Sequence, residues 1–375
     1  IAFWPGPLSA DGSAVTPVSE CLKYDKHWKI NKSLIETHKS NTLPGGGLAP
    51  GYFPPTSFLD WPAHGDASLN QDRYLAPFVD VDQDGIYNPM NGDYPKIRGD
   101  QSIWMVYNDK GNTSGSGSTP IGIEIQTEAF AYASNDELNN MTFYQHTILN
   151  RSSIRLDSCF MAQWVDPDLG NAADDYVGCD VPRGLGICYN GDNDDDGVQG
   201  YGQNPPSVGV DFFEGPYQDE DSIDNPLTTD IIEAIDQKGI PYKGIGIGYG
   251  DGVVDNERFG MRRFLYHGSG SGPAGYPTVA IHYYNYLRGF WKNGQRMAYG
   301  GNALSAASGA DLSIGADYMF PGDTDPLNFG TLGTPTSPWT EVSSGNPAGD
   351  RRFMQSAGPF TLEPGDYNNI TVGVV

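Results

Sequence analysis

The sequence is poor in basic residues, and this shortage limits what the protein can bind. Lysine and arginine together number 22 against 47 acidic residues, so the formal net charge at pH 7 is −25. Binding to nucleic acid or to an anionic membrane depends on lysine and arginine at the phosphates. The charge therefore argues against nucleic-acid partners and favours cations and basic or neutral surfaces.

Glutamate and long apolar runs are also scarce. Glutamate accounts for only 11 of the 47 acidic residues, which leaves 36 aspartates, and aspartate suits turns and cation-binding loops. The 49 glycines and 28 prolines also indicate a chain rich in loops and poor in helix. No segment approaches 18 consecutive apolar residues, so no membrane insertion is expected. Hydrophobic residues still make up 38% of the chain, which is enough to form a core.

Cysteine and histidine are too few and too scattered for the usual transition-metal sites. The four cysteines form no CxxC pair, and the six histidines form no HxH or HExxH motif. No GxSxG elbow or Walker loop occurs, and we predict no catalytic residue. Cys179 and Cys188 are candidates for a disulfide, with two reduced buried thiols as the alternative; Cys21 and Cys159 are then the remaining candidate pair.

Alternating apolar and polar positions predict β-strands from about residue 101 onward. Because these strands follow one another without intervening helices, we predict a mainly β fold, an antiparallel β-sandwich with long Asp- and Gly-rich calcium-binding loops. A strand, a Pro-Gly turn and a second strand at 358–375 are expected to complete it. The other main predicted strands are 102–109, 121–133, 141–153, 159–166 and 207–213.

One or two short helices are expected within the β pattern, at 228–239 and 279–294. In the second, a stripe at helical spacing is predicted to pack into the core, and four tryptophans are assigned to core packing as well. The stripe is Val279, Tyr283, Leu287, Phe290 and Trp291, and the tryptophans are Trp61, Trp104, Trp164 and Trp291.

Composition suggests two regions. Residues 1–98 are rich in Pro, Gly and aromatics and are expected to form an irregular segment that wraps a neighbouring core. Residues 99–375 are expected to form the sandwich, with a loop-rich insertion at about 167–345. One continuous domain of a longer protein is the alternative, because "IAFWPGP" and "NNITVGVV" resemble cuts through a longer polypeptide.

The stretch "FVDVDQDGIYNP" (78–89) is the best candidate for a metal site. Asp80, Asp82 and Asp84 alternate before a glycine, and three carboxylates this close repel one another unless a cation neutralises them. Calcium takes six to eight oxygen ligands, mostly carboxylates and carbonyls. The carbonyl of Ile86 and the side chain of Asp93 are the further predicted ligands. A solvated acidic turn is the alternative.

Other acidic loops repeat the pattern less clearly. "NGDNDDDGVQG" offers Asp192, Asp194 and Asp196, and "YGDGVVDNE" offers Asp251, Asp255 and Glu257. We interpret each loop as a candidate calcium site. A third candidate, "WVDPDLGNAADDYVGCD", offers Asp166, Asp168, Asp174, Asp175 and Asp180.

Several strings along the chain resemble the large secreted surface proteins of Bacteroidetes. They include "GDYPKIRGDQSIWMVYND", "QWVDPDLGNAADDYVGCD", "PPSVGVDFFEGP" and "DRRFMQSAGPFTLEPGDYNNITVGVV", and the similarity is collinear over roughly residues 75–375. The resemblance implies cargo of the type IX secretion system, exported to the outer cell surface or the medium. No catalytic residues are agreed for that family, so the resemblance assigns none here.

These observations together predict a secreted, calcium-stabilised structural or adhesive protein, as part of an appendage or surface assembly, and not an enzyme. Calcium is the expected cofactor. Other copies of the chain, surface proteins and polysaccharide are candidate partners. A carbohydrate-binding module and a glycoside hydrolase or lyase are the alternatives. A groove lined by exposed aromatics would favour the first, and two carboxylates facing each other across a cleft the second.

Overall fold

The computed structural model describes residues 3–111 and 117–375. The chain is mainly β with antiparallel sheets, which confirms the predicted fold class. It divides into two compact units, and the first contains residues 3–111, 119–156 and 362–368. The second contains 117–118, Asp157–Thr361 and Asn369–Val375. These boundaries differ from the division after residue 98 that composition suggested.

The first unit contains a sheet, a small two-stranded ladder and three short helices. Its helices are α1 (Val18–Tyr24), α2 (Lys32–Ser40) and α3 (Thr56–Leu59). Its strands are β1 (Trp4–Pro5), β2 (Trp28–Asn31), β3 (Phe78–Val79), β4 (Tyr94–Pro95), β5 (Gln101–Asn108), β6 (Ile123–Ala131) and β7 (Thr142–Asn150).

Strand β5 organises the first unit. It pairs with β6 along its whole length, and β6 pairs with β7. The opposite edge of β5 is covered by β2 at one end, where Trp28 is opposite Trp104, and by β1 at the other. The segment before residue 98 therefore adds two strands to the sheet as well as covering it.

Tryptophans hold the core of the first unit together. The ring centroids of Trp28 and Trp104 are 5.7 Å apart, and those of Trp61 and Trp104 are 6.1 Å apart. Two of these indoles also have polar partners. Trp28 Nε1 donates to the carbonyl of Asp60, and Trp61 Nε1 donates to the carbonyl of Pro77. The predicted core role is confirmed for Trp61 and Trp104, both less than 7% exposed.

The second unit contains most of the strands of the chain. Three of them, at Leu156–Val165, Arg352–Leu362 and Tyr367–Val374, have end residues in the first unit. Its helices are α4 (Ile231–Ile235) and α5 (Ala280–Leu287). Its strands are β8 (Leu156–Val165), β9 (Asp175–Asp180), β10 (Leu185–Asn190), β11 (Asp194–Asp195), β12 (Gly202–Gln203), β13 (Ser207–Glu214), β14 (Gly246–Ile247), β15 (Arg258–Phe259), β16 (Arg263–His267), β17 (Ala298–Tyr299), β18 (Asp311–Gly315), β19 (Arg352–Leu362) and β20 (Tyr367–Val374).

Two sheets of the second unit pack face to face, consistent with a β-sandwich. One has the order β9-β10-β13-β20, and the other has the order β8-β19-β16. Gly186 in β10 leaves room for Phe264 and Phe353 of the facing sheet, since a Cβ there would lie 2.7 Å from the Phe353 ring. Gln355 in β19 crosses between the layers and donates to the carbonyls of Gly184 and Val210.

The helices are more numerous than predicted. The described residues contain five short α-helices, and eight 3₁₀ turns in addition, where one or two helices were expected. Helix α5 ends at Leu287, and Phe290 and Trp291 follow in a turn. The predicted stripe was therefore wrong in part: Trp291 is fully buried, but Val279 is 43% exposed, and the buried helical residues are Asn285 and Tyr286.

Candidate metal centre

A short ladder brings together two aspartates that are 13 positions apart. Strand β3 pairs with β4 so that Val79 is opposite Tyr94. Asp80 directly follows β3 and Asp93 directly precedes β4, so pairing of the strands places the two carboxylates at the same end of the ladder. Carboxylate oxygens of Asp80, Asp82 and Asp93 all lie within 4.8 Å of one another.

The loop between these strands is held by hydrogen bonds to the same carboxylates. Asp80 Oδ2 accepts the backbone N–H of Gly85 at 2.8 Å, which closes the turn between the first and sixth loop positions. Gly85 has φ +76°, a conformation that favours glycine. Asp93 Oδ1 accepts the N–H of Val81 at 2.8 Å, and Asp82 Oδ2 accepts the side-chain amide of Asn91 at 2.9 Å.

The electrostatics of the cluster are unfavourable without a cation. Asp93 is completely buried, and burial raises its pKa, with the neighbouring charges of Asp82 and Asp80 acting in the same direction. The other oxygen of Asp80, Oδ1, is buried and has no hydrogen-bond partner among the described residues. A buried carboxylate oxygen without a donor costs about 1–3 kcal/mol or more. The arrangement suits a hard cation that binds oxygen ligands.

Asp84 and Ile86, which the sequence also predicts as ligands, are arranged differently. Asp84 is exposed, lies outside the three-carboxylate cluster, and its Oδ1 accepts the N–H of Ile86 at 2.7 Å. The side chain of Ile86 is 56% exposed. The carbonyl of Ile86 as a ligand stays a prediction.

A second cluster consists of Asp166, Asp168 and Asp350, all exposed. Arg352 already neutralises part of it, because its Nε lies 3.0 Å from Asp166 and its Nη1 lies 2.8 Å from Asp350. The third carboxylate is therefore Asp350, which is distant in sequence. The prediction grouped Asp174, Asp175 and Asp180 with this site instead; Asp180 caps the following turn by accepting the N–H of Arg183.

In the loop "NGDNDDDG" the buried acid is Asp195, not one of the predicted ligands. Asp192, Asp194 and Asp196 are exposed, and Asp192 Oδ1 accepts the N–H of Asp194 at 2.8 Å. The reason is the alternation of a β-strand: β11 turns Asp194 outward and Asp195, only 2% exposed, inward. Among the described residues, none of these three predicted ligands belongs to a cluster of three or more acids.

The loop at 249–257 uses its acids to bind neighbouring backbone. Asp251 accepts the N–H of Val253 and the side-chain amide of Asn256, at 2.8 and 2.9 Å. Asp255 Oδ1 accepts the N–H groups of Asp221 and Ser222, each at 2.8 Å. Asp251 therefore braces its own loop, and Asp255 joins that loop to the one at 221–222.

No protein-family model matches the chain, and no curated protein is significantly similar to it. None of the helices in the described part of the chain is long and apolar enough to cross a membrane.

The predicted disulfides do not form in this structure. Cys179 is opposite Gly186 and Cys188 is opposite Val177, so the two cysteines are diagonal neighbours in the β9–β10 pair. Such side chains are about 7–8 Å apart, whereas a disulfide needs Cβ atoms about 3.8 Å apart. The Cys179 thiol instead donates to the carbonyl of Met319. No disulfide joins Cys21 of α1 and Cys159 of β8.

The second unit has an acidic cleft of about 350 Å³. Among the described residues that line it, Phe360 is the only aromatic one, and the carboxylates of Asp219 and Asp221 accept hydrogen bonds. Asp219 accepts the N–H and hydroxyl of Thr361, and Asp221 accepts the N–H of Ile223. Asp157 and Asp236 are further acidic lining residues.

Proposed function

We propose that the protein is a secreted structural or adhesive protein whose first unit is stabilised by calcium. The observation that carries the proposal is the group of Asp80, Asp82 and Asp93, in which a buried oxygen of Asp80 lacks a donor and Asp93 is fully buried. The donor set is all oxygen and all carboxylate, which is the preference of calcium and not of zinc or copper.

Calcium at this loop would fix an otherwise self-repelling segment. The loop covers an aromatic group, because the Phe78 and Tyr87 rings lie 5.3 Å apart and Tyr87 donates to the carbonyl of Phe58 in the core. Neutralising the acids therefore stabilises the packing of the loop on the core of the unit. Extracellular calcium-binding modules typically have dissociation constants of about 10⁻⁴–10⁻³ M, so a site of modest affinity is sufficient for this role.

A thermal melt of the purified chain in calcium and after chelation, together with elemental analysis, tests this proposal. Binding to the folded state alone raises the midpoint, by an amount that grows with calcium concentration. The proposal requires bound calcium and a midpoint that falls on chelation. Asp80→Asn should remove most of this difference, and Asp25→Asn, at an exposed acid that closes α1, should not. An unchanged midpoint with no bound metal would reject calcium.

Carbohydrate capture is the second candidate, favoured by an exposed aromatic ring next to the same loop. Tyr74 is 53% exposed, and its hydroxyl lies close enough that a Cβ at Gly85 would be 3.3 Å away. Arg73 lies over this ring at 5.4 Å and donates to the carbonyl of Gly85. Retention on immobilised polysaccharide that is lost in Tyr74→Ala would support this candidate; a glycoside hydrolase or lyase has no comparable support in the acidic cleft.

A further inference from the structure

The open end of the β9–β10 hairpin in the second unit contains a buried polar group on an otherwise apolar face. Asp175 begins β9 and Asn190 ends β10, and the two are directly opposite in the antiparallel register. The preceding pair on the same face is Val177 and Cys188, both completely buried. Asp175 is 1% exposed and Asn190 is 7% exposed.

Three oxygens of this group are buried and have no hydrogen-bond partner among the described residues. They are Oδ1 of Asp174, Oδ1 of Asp175 and Oδ1 of Asn190. A single buried oxygen of this kind costs about 1–3 kcal/mol. Three of them on one register pair and the residue next to it require an explanation.

The other polar atoms of the same three side chains form hydrogen bonds, and these bonds fix the orientation of each side chain. Asp175 Oδ2 accepts the N–H of Leu169 at 3.2 Å, and Asp174 Oδ2 accepts the N–H of Asp196 at 3.1 Å. The amide Nδ2 of Asn190 donates to the carbonyl of Asp192 at 3.1 Å, which leaves its carbonyl oxygen as the unpartnered atom.

Asp195 braces the loop that covers this group. It is 2% exposed, its Oδ1 accepts the N–H of Asn171 at 3.0 Å and its Oδ2 accepts that of Tyr201 at 2.8 Å. Gly170 is required beside it, because φ is +57° and a Cβ would collide with Asp195 Oδ2. The chain therefore folds closely around a third buried carboxylate.

The local charge is negative and is not balanced by the protein. Burial, followed by the charges of Asp174 and Asp195, raises the pKa of Asp175 to about 6, and the thiol of Cys188 lies against the same carboxylate. Among the described residues, no lysine or arginine forms an ion pair with Asp174, Asp175 or Asp195. The nearby Arg351 is held by Glu341, with two contacts of 3.0 and 2.9 Å.

We infer that Asp174, Asp175 and Asn190 bind a divalent cation, most simply calcium, through their three unpartnered oxygens, with Asp195 as a positioning residue. Two carboxylates and one amide carbonyl are hard oxygen ligands, and water completes the coordination. The cation supplies the missing partner for each oxygen and neutralises the buried charge. This site does not depend on the one proposed at Asp80.

Hydrogen exchange of the intact chain, measured with and without calcium chloride, tests the two sites separately. Calcium bound at the hairpin should slow exchange in peptides from 169–201, and calcium bound at the first site should slow exchange in peptides from 78–95. Asp175→Asn should raise the calcium concentration needed to slow exchange in 169–201 by at least tenfold. It should leave the calcium response of 78–95 unchanged.

Asp174→Asn is the milder variant if Asp175→Asn does not fold, because Asp174 is only half-buried. Asp192→Asn is the matched control, since its exposed carboxylate caps Asp194 in the same loop and lies outside the group. Loss of the response in 169–201 in either cluster variant, but not in the control, is the expected result. A wild-type segment 169–201 that does not respond to calcium, or a response that both cluster variants retain, would overturn the inference and indicate that water or a shared proton fills the site.

Discussion

At the scale of single residues, the aspartates of this protein have two different environments. Exposed ones such as Asp192 and Asp251 accept backbone N–H groups two residues ahead and need no cation. Asp93, Asp175 and Asp195 are almost completely buried, and each lies near other carboxylates. The sequence pattern D-x-D-x-D-G identified Asp80 and Asp82, but it does not separate these environments, because burial depends on which distant segment covers the loop.

Asp93→Asn provides a test in which the size of the effect depends on calcium. After chelation, the variant should be destabilised only modestly, because it loses one of the hydrogen bonds that the carboxylate accepts from the backbone N–H groups of Val81 and Asn88 but also removes a buried charge near Asp80 and Asp82. In calcium it should be destabilised more, because a ligand is lost as well. Thermal melts of both proteins in both conditions check this. A variant that is less stable by the same amount in both conditions would indicate that Asp93 only caps the loop.

His267 should make the protein sensitive to acid. It is fully buried against Trp164, and burial lowers its pKa to about 4. Because the folded pKa lies below the ordinary value of about 6.5, the neutral form is favoured in the folded state, and its contribution is present above pH 6.5 and is lost as the pH falls towards 4. The loss is at most about 3 kcal/mol.

His267→Phe keeps an aromatic ring in this cluster and removes the titration. Denaturant unfolding between pH 4 and 7.5 should show a flatter loss of stability in the variant than in the wild-type protein below pH 6.5. The charges that also act on His267, from Arg352, Lys292 and Asp350, are the same in both proteins. Parallel curves would show that His267 does not contribute to the acid sensitivity.

At the scale of elements, the long strands were predictable and the short ladders were not. Alternation over eight to ten residues gave β5, β6, β7, β8 and β13 to within a few positions, and in β5 every second residue is buried. The pairs β3–β4 and β11–β12 have two residues per strand, too few for any periodicity. They nevertheless bring Asp80 next to Asp93 and turn Asp195 inward. Asn190 and Asp350 had no signal in the sequence either, because each meets its acidic neighbours only through the pairing of other segments.

A buried ion pair holds the long segment before β19 against β9. Arg351 is 7% exposed and Glu341 is fully buried, and Glu341 also accepts the N–H of Val177 at 2.9 Å. Arg351→Met leaves this carboxylate unpaired and should lower the free energy of unfolding by roughly 3–5 kcal/mol. Adding Glu341→Gln should recover a substantial part of the loss, because the buried charge is then absent.

Denaturant unfolding of the single and double variants measures this coupling. Lys39→Met is the matched control. Lys39 and its partner Glu36 are both about half exposed, and an exposed ion pair of this kind contributes at most about 1 kcal/mol. Losses that simply add in the double variant would show that Arg351 and Glu341 do not act as a pair.

At the scale of the whole molecule, a net charge of −25 is combined with a well-packed β structure. Self-repulsion of this size destabilises a compact state unless counter-ions reduce it. Calcium at the buried carboxylates proposed above would reduce the charge where screening by water and salt is weakest. Composition alone led to the prediction of bound cations, whereas the positions proposed for them follow from the pairing of distant segments.

The most direct test of the calcium hypothesis is an anomalous difference map from crystals grown in calcium, recorded at a wavelength where calcium scatters anomalously. Calcium binding predicts a peak between the carboxylates of Asp80, Asp82 and Asp93, with ligand distances of about 2.3–2.6 Å. A map with no peak there, in crystals where the three carboxylates are ordered, would rule out calcium at this loop.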